Sequence, residues 1–164
     1  MERFYLDTNI LFSYFLKKFF EKKGKQIDAK VANFLILSSK RLKYAISILA
    51  EAEITRKLRS EFNLEEIEIK NIWKSFILDI QPSYISASQS LEEIYKEILE
   101  IVGKIPIKRR VTNLEHLIIA KKNDLIFVTG DKEILKKCKY FYKKIWSYNK
   151  LRNFYESKND LKPE

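Results

Sequence analysis

The segment FYLDTNIL, residues 4–11, runs three apolar residues into a carboxylate, a hydroxyl and an amide (Asp7, Thr8 and Asn9) before the apolar pattern resumes. A second acid, Glu53, lies in a helical pattern that begins near Ser47, after the apolar stretch ending at Ile46. A third, Asp131, follows the wholly apolar LIFV run of residues 125–128, with Thr129 and Gly130 between. In parallel α/β sheets, sites form outside the carboxyl ends of the strands, so acids far apart in sequence can share one sheet edge. Left alone there, they would repel one another and raise each other's pKa. A hard cation such as Mg²⁺ favours carboxylate and water oxygens and needs only one or two protein carboxylates. Such an ion can polarise a phosphate and make a bound water more acidic. Plainer uses stay open. Asp7, Thr8 or Asn9 could cap the helix that follows, Asp131 could do the same, and Glu53 or Glu51 could be a solvated helix residue. The joint placement of the acids favours the cation.

The elements that would position these acids can be read from hydrophobic spacing. Arg3–Leu6 reads as a buried strand and Asn9–Phe20 as a helix, followed by the polar EKKGKQ connection (21–26). Helical spacing resumes over 27–39, Lys43–Ile46 reads as a strand, and a helix runs from Ser47 to about Leu58. Asn63–Trp73 is expected as a short helix and Phe76–Ile80 as an extended segment before Pro82. An amphipathic helix carries Leu91, Ile94, Tyr95, Ile98, Leu99 and Val102 on one face and ends at Gly103. Thr112–Lys122 reads as a helix, Leu125–Val128 as a strand buried on both faces, and Tyr140–Trp146 as a last strand. Strands alternating with helices predict an α/β fold with a mostly parallel sheet.

The 164 residues, 46% of them apolar, suit one domain with a proper core, expected over 1–148 with a polar tail over 149–164, mobile at its very end. Lys and Arg number 32 against 22 Asp and Glu, a net charge of +10 that points to an anionic partner, nucleic acid or an acidic protein. Cys138 is the only cysteine, so an internal disulfide and a thiolate metal cage are both excluded. No apolar run approaches the roughly 20 residues needed to span a bilayer. Charged and polar residues break the only apolar N-terminal segment, so a soluble, cytoplasmic protein with no membrane partner is expected.

Three segments together resemble the PIN domain family of metal-dependent ribonucleases: FYLDTNILFSYF, AISILAEAEITRKL and TNLEHLIIAKKNDLIFVTGDKEIL. The resemblance implies a three-layer α/β/α fold and endonucleolytic cleavage of RNA with Mg²⁺ or Mn²⁺ as cofactor. The family's first acidic position falls on Asp7, supported by Thr8 and Asn9. The second falls on Glu53, six residues after Ser47, with Glu51 as the alternative. The fourth falls on Asp131, with Thr129 as a supporting hydroxyl. These three would hold the metal. The third position is Asn113, whose carbonyl can ligate a hard cation but carries no charge. Glu115 lies two residues further on, a rotation of about 200° that turns it away from Asn113 unless the helix starts late. His116 is expected to pack rather than to act as a base. The family also implies an antitoxin protein as partner for many small members, and a homodimer. A degenerate PIN domain that binds RNA or a protein without cutting it is the alternative reading.

Substrate contacts are expected from the basic residues. Lys132, Lys136 and Lys139 can line one face of the helix that Asp131 opens, beside the acids, where they would hold a phosphate backbone. Tyr140, Phe141 and Tyr142 could stack on unpaired bases or fill the core.

Overall fold

The apolar runs at residues 4–6, 44–46 and 126–128 are short, and each is buried on both faces of the sheet. The computed structural model describes residues 2–86 and 90–160. Along the chain lie β1 (Arg3–Leu6), α1 (Thr8–Lys22), α2 (Lys30–Ser38), β2 (Lys43–Ser47), α3 (Ile48–Ser60), α4 (Glu66–Ile80) and β3 (Ser83–Ile85). There follow α5 (Leu91–Lys104), α6 (Val111–Lys122), β4 (Ile126–Val128), α7 (Lys132–Lys137), β5 (Ile145–Trp146) and α8 (Tyr148–Asp160). The strands form one all-parallel sheet in the order β3-β2-β1-β4-β5. Strand order therefore reverses at β1, which pairs with β2 on one side and with β4 on the other. The crevice outside β1 and β4 is where α/β sheets of this kind place their ligands.

Alternation along β1 shows how the layers are built. Phe4 and Leu6 enter a core shared with α1, α2, α3, α4 and α8, whereas Tyr5 enters a second core against α5, α6 and α7. The fold is a three-layer α/β/α sandwich, as expected from the alternation of strands and helices. Ser47 caps α3 by accepting the Ala50 N–H. A capping box between Glu65 and Glu68 starts α4, so the helix begins three residues later than the spacing predicts.

Several elements differ from their sequence-based expectations, each for a packing reason. Phe76–Ile80 is not extended but the last part of α4, because Ile69, Ile72, Trp73, Phe76 and Ile80 recur at helical spacing and are buried together. The strand is the next segment, Ser83–Ile85, at the sheet edge. Helix α5 buries Ile94, Ile98 and Ile101 and continues past Gly103, leaving Leu91, Tyr95, Leu99 and Val102 exposed. Of the expected strand over 140–146 only Ile145–Trp146 is extended. Among the described residues no helix is long and apolar enough to cross a membrane.

Residues read as a polar tail form α8 instead, with Leu151 fully buried and Phe154 stacked against Phe4 and Trp146. One buried leucine, with the ring contacts of Phe154 to Phe4 and Trp146 and of Tyr148 and Tyr155 to Phe34, docks a helix whose other faces are polar. The last four residues lie outside the described residues. Truncating Leu151 to Ala is expected to cost about 2–5 kcal/mol of unfolding free energy. Chemical denaturation reads this directly, and a loss below about 0.5 kcal/mol would contradict a docked α8.

Candidate active site

Asp7 leaves the end of β1 with its own N–H still in the ladder, donating to Val128 O of β4 at 2.9 Å. Its carboxylate is 2% exposed and fully engaged by protein donors. Oδ1 accepts the Thr8 N–H at 2.8 Å; Oδ2 accepts the Thr129 hydroxyl at 2.6 Å and the Asn9 amide at 2.8 Å. Burial pushes the Asp7 carboxyl above its ordinary value. The imidazole of His116 and the bonds from Thr129 and Thr8 pull the other way, and the charge of Glu53 adds to the rise.

Thr129 joins the two central strand ends. Its oxygen also accepts the Asp131 N–H at 3.0 Å, and the Asn9 amide lies at 3.3 Å. The other end of the Asn9 side chain accepts the Gly130 N–H at 2.9 Å. A Cβ on Gly130 would sit 3.3 Å from that Asn9 oxygen, a tight contact that glycine avoids. Asp131 then caps α7, Oδ1 accepting from Glu133 N at 2.9 Å and Ile134 N at 3.2 Å. Its Oδ2 accepts the Asn113 amide at 3.1 Å and pairs with Arg109 Nε at 3.5 Å. Arg109 is aimed by Glu133, which accepts the backbone N–H groups of Lys108 and Arg109.

Glu53 projects from α3 into an open cleft of about 780 Å³, which Thr8, Asn9, Asn113 and Glu115 also line. Its Oε2 lies 2.7 Å from Nε2 of His116, and the Thr8 hydroxyl bonds the same carboxylate. Burial would raise the Glu53 pKa, but the hydrogen bond and imidazole of His116, the Thr8 hydroxyl and Arg56 together hold it below the ordinary value of 4.5. His116 is buried as expected for a packing residue, yet both ring nitrogens are bonded, Nδ1 to Tyr5 Oη at 2.7 Å.

The structure thus brings Asp7, Asp131 and Asn113 into one bonded edge and places Glu53 beside it, across Thr8. Glu51 is elsewhere, accepting the Tyr84 hydroxyl at 2.7 Å. The expectation that Glu115 turns away from Asn113 is not met. Both line the same cleft, because Asn113 sits in the first turn of α6 and reaches sideways to Asp131, while Glu115 is held by Tyr95 from α5. Lys132, Lys136 and Lys139 are exposed on or next to α7. The cations lining the cleft are Arg56, Lys57 and Arg110, with Phe12 and Tyr95 as its aromatic walls. Tyr95 belongs to the α5 stripe, Phe12 to the apolar spacing of α1 and Arg110 to the basic KRR run of residues 108–110, but the relation of Arg56, Lys57 and Arg110 to Glu53 is purely tertiary. Phe141 and Tyr142 pack against the second core while Tyr140 is exposed. Burial pushes the Cys138 thiol up to about 11, so its lysine neighbours do not activate it.

The donor set suits a hard divalent cation in kind, the carboxylates of Asp7, Glu53 and Asp131 beside the Asn113 amide, with Asp7 and Asp131 buried at a cost that positive charge would relieve. Among the described residues, however, no three His, Cys, Asp or Glu side chains close into a group that could by itself hold a metal ion. The arrangement fits an ion carried by one or two carboxylates and completed by water and substrate, rather than an all-protein cage.

The lowered Glu53 pKa sets a pH dependence. Its stabilisation is present above 4.5 and is lost as pH falls through the depressed folded-state value. Thermal melts of the wild type and Glu53→Gln should therefore converge as pH drops from 6 towards 3; a gap independent of pH would contradict the pairing with His116.

No protein-family model matches the chain, and no curated protein matches it. Among solved structures, it is similar to a chain of VapBC2 from Rickettsia felis, crystallised bound to a DNA fragment from their promoter. The likeness has a TM-score of 0.62 at 15% identity and covers 88% of this chain and 98% of that one, a likeness of fold.

Proposed function

We propose that the chain is a Mg²⁺- or Mn²⁺-dependent endoribonuclease of the PIN type that acts in the cytoplasm. The observation that carries this reading is the placement of Asp7, Glu53 and Asp131 where strand order reverses, beside a cleft with a cationic rim. Asp7, Glu53 and Asp131 would hold the cation, with Asn113 beside them as its neutral companion. When bound, the ion supplies a Lewis acid for the scissile phosphate and makes its water more acidic. The chain's other groups do the binding. Arg56, Lys57 and Arg110 meet the phosphates in the cleft, and Lys132 and Lys136 extend the basic track along α7. Phe12 and Tyr95 offer faces for unpaired bases, which favours single-stranded or loop RNA.

We extend the reading to a toxin held by an antitoxin protein, which the likeness of fold to a VapBC2 chain supports, and to a homodimer, which rests on the PIN resemblance alone. A second reading has its own observation. Asn113 donates to Asp131, and both oxygens of Asp7 and of Asp131 already have protein donors, as in a degenerate PIN domain that binds RNA or a protein without cutting.

Cleavage assays on structured RNA separate the two. Under the nuclease reading the wild type cuts with Mg²⁺ or Mn²⁺, and Asp7→Ala falls to the rate seen in chelator. Equal rates with and without chelator would sink the metal mechanism, and an inert wild type rescued by Asn113→Asp would select the degenerate reading. RNA affinity tests the rim independently. Arg110→Ala should weaken binding and make the slope of log K against log salt shallower by about 0.7, the value for one phosphate contact on a single strand; an unchanged slope removes Arg110 from the interface.

A further inference from the structure

Three buried polar side chains from three elements form one continuous hydrogen-bonded line that ends on Glu53, a fourth side chain from a fourth element. The Ala50 N–H donates to Ser47 Oγ at 3.3 Å, Ser47 Oγ lies 2.6 Å from Tyr5 Oη, and Tyr5 Oη lies 2.7 Å from His116 Nδ1. His116 Nε2 then lies 2.7 Å from Glu53 Oε2. Ser47, Tyr5 and His116 are each no more than 2% exposed, whereas Glu53 opens to the cleft.

With the His116 ring neutral, the protons close in one sense. Ser47 accepts from the helix and gives its hydroxyl hydrogen to Tyr5. Tyr5, whose pKa burial pushes well up and which therefore keeps its proton, donates to Nδ1. The ring hydrogen is left on Nε2, pointing at the carboxylate. The reverse sense would need hydrogens on both ring nitrogens and would turn the Ser47 hydroxyl away from Tyr5. A line running from β2 through β1 and α6 to α3 is more than packing requires, since an apolar residue at 116 would fill the same core between Leu114, Leu117 and Ile118.

We infer that His116 is a positioning residue for Glu53: the single tautomer fixed by Tyr5 and Ser47 anchors one carboxylate oxygen at the cleft floor, so that Glu53 meets a divalent cation with a set orientation. The inference rests on the nuclease reading, and it assigns a role to a residue that touches neither RNA nor metal. Partners of this kind, which orient a ligating side chain from behind, change metal affinity or activity by about 10- to 100-fold when removed.

The chain has one histidine, so its ring nitrogens can be read without assignment ambiguity. Nitrogen NMR of the metal-free wild type should show a bare Nδ1 and a protonated Nε2, and Tyr5→Phe should mix the tautomers. Calorimetric titration with Mn²⁺ should find His116→Leu weaker than wild type by about 10- to 100-fold, with His116→Gln, which keeps an N–H donor, recovering much of the loss. RNA affinity in chelator should be unchanged in both variants, and that readout, with thermal melts, separates lost positioning from lost fold. If His116→Leu remains folded, a variant that binds Mn²⁺ and cuts RNA as the wild type does overturns the inference alone. A His116→Leu chain that fails to fold leaves Tyr5→Phe to decide: unchanged Mn²⁺ affinity with a single unaltered tautomer overturns it too. A wild type that shows the tautomer but neither binds Mn²⁺ nor cuts overturns the nuclease reading, and the inference with it.

Discussion

The 2.6 Å bond from the Thr129 hydroxyl to Asp7 Oδ2 ties together the ends of the two strands between which the sheet reverses its order. Everything at the site is built outward from it. Asn9 bridges the same two groups and reaches over to the Gly130 amide, so the N-terminus of α1 is fixed to the β4–α7 turn. Thr129 also accepts the Asp131 N–H, which sets the orientation in which Asp131 caps α7. A buried carboxylate costs several kcal/mol when unpaired. The hydroxyl and amide donors gathered around Asp7 are what allow it to sit at a strand end with almost no exposure.

Those donors are neutral, so the negative charge at the edge is distributed but not cancelled. Glu53 and Asp7 still act on each other through space, and among the described residues the one full positive charge paired with the Asp7–Asp131 edge is Arg109, at 3.5 Å from Asp131. Asn113 matters here because it replaces a potential fourth charge with an amide that donates. A fourth acid would demand more positive charge from outside. The edge as it stands needs less, which is consistent with the proposed single, lightly held ion and leaves the cationic rim for the proposed phosphate contacts.

The central strands and the acids were legible because local pattern and tertiary role coincide there. FYLDTNIL and LIFVTGD each place a capping acid directly after a buried strand, and neither reading needs a distant residue. Position 113 could be assigned from the resemblance, but its bond to Asp131 could not. Elements failed where the pattern was ambiguous at short range. Phe76-Ile77-Leu78 reads as extended by apolar content alone, and only Ile69, Ile72 and Trp73 upstream show that the helical period continues. Helix α8 was missed because its polar surface outweighs Leu151, Phe154 and Tyr155, the residues that dock it. At the site, Arg56, Lys57 and Arg110 come from two elements far apart in sequence, and the Ser47–Tyr5–His116 line crosses three. Neither leaves a periodic trace.

The acidic edge at the β1–β4 reversal is proposed as a cation site. Crystals grown with Mn²⁺ and measured at a wavelength where manganese scatters anomalously test it most directly. One anomalous peak should lie within coordination distance of Asp7, Glu53 or Asp131, with water completing the shell. A saturated crystal with no peak there, or with manganese only at surface carboxylates remote from β1 and β4, would contradict it.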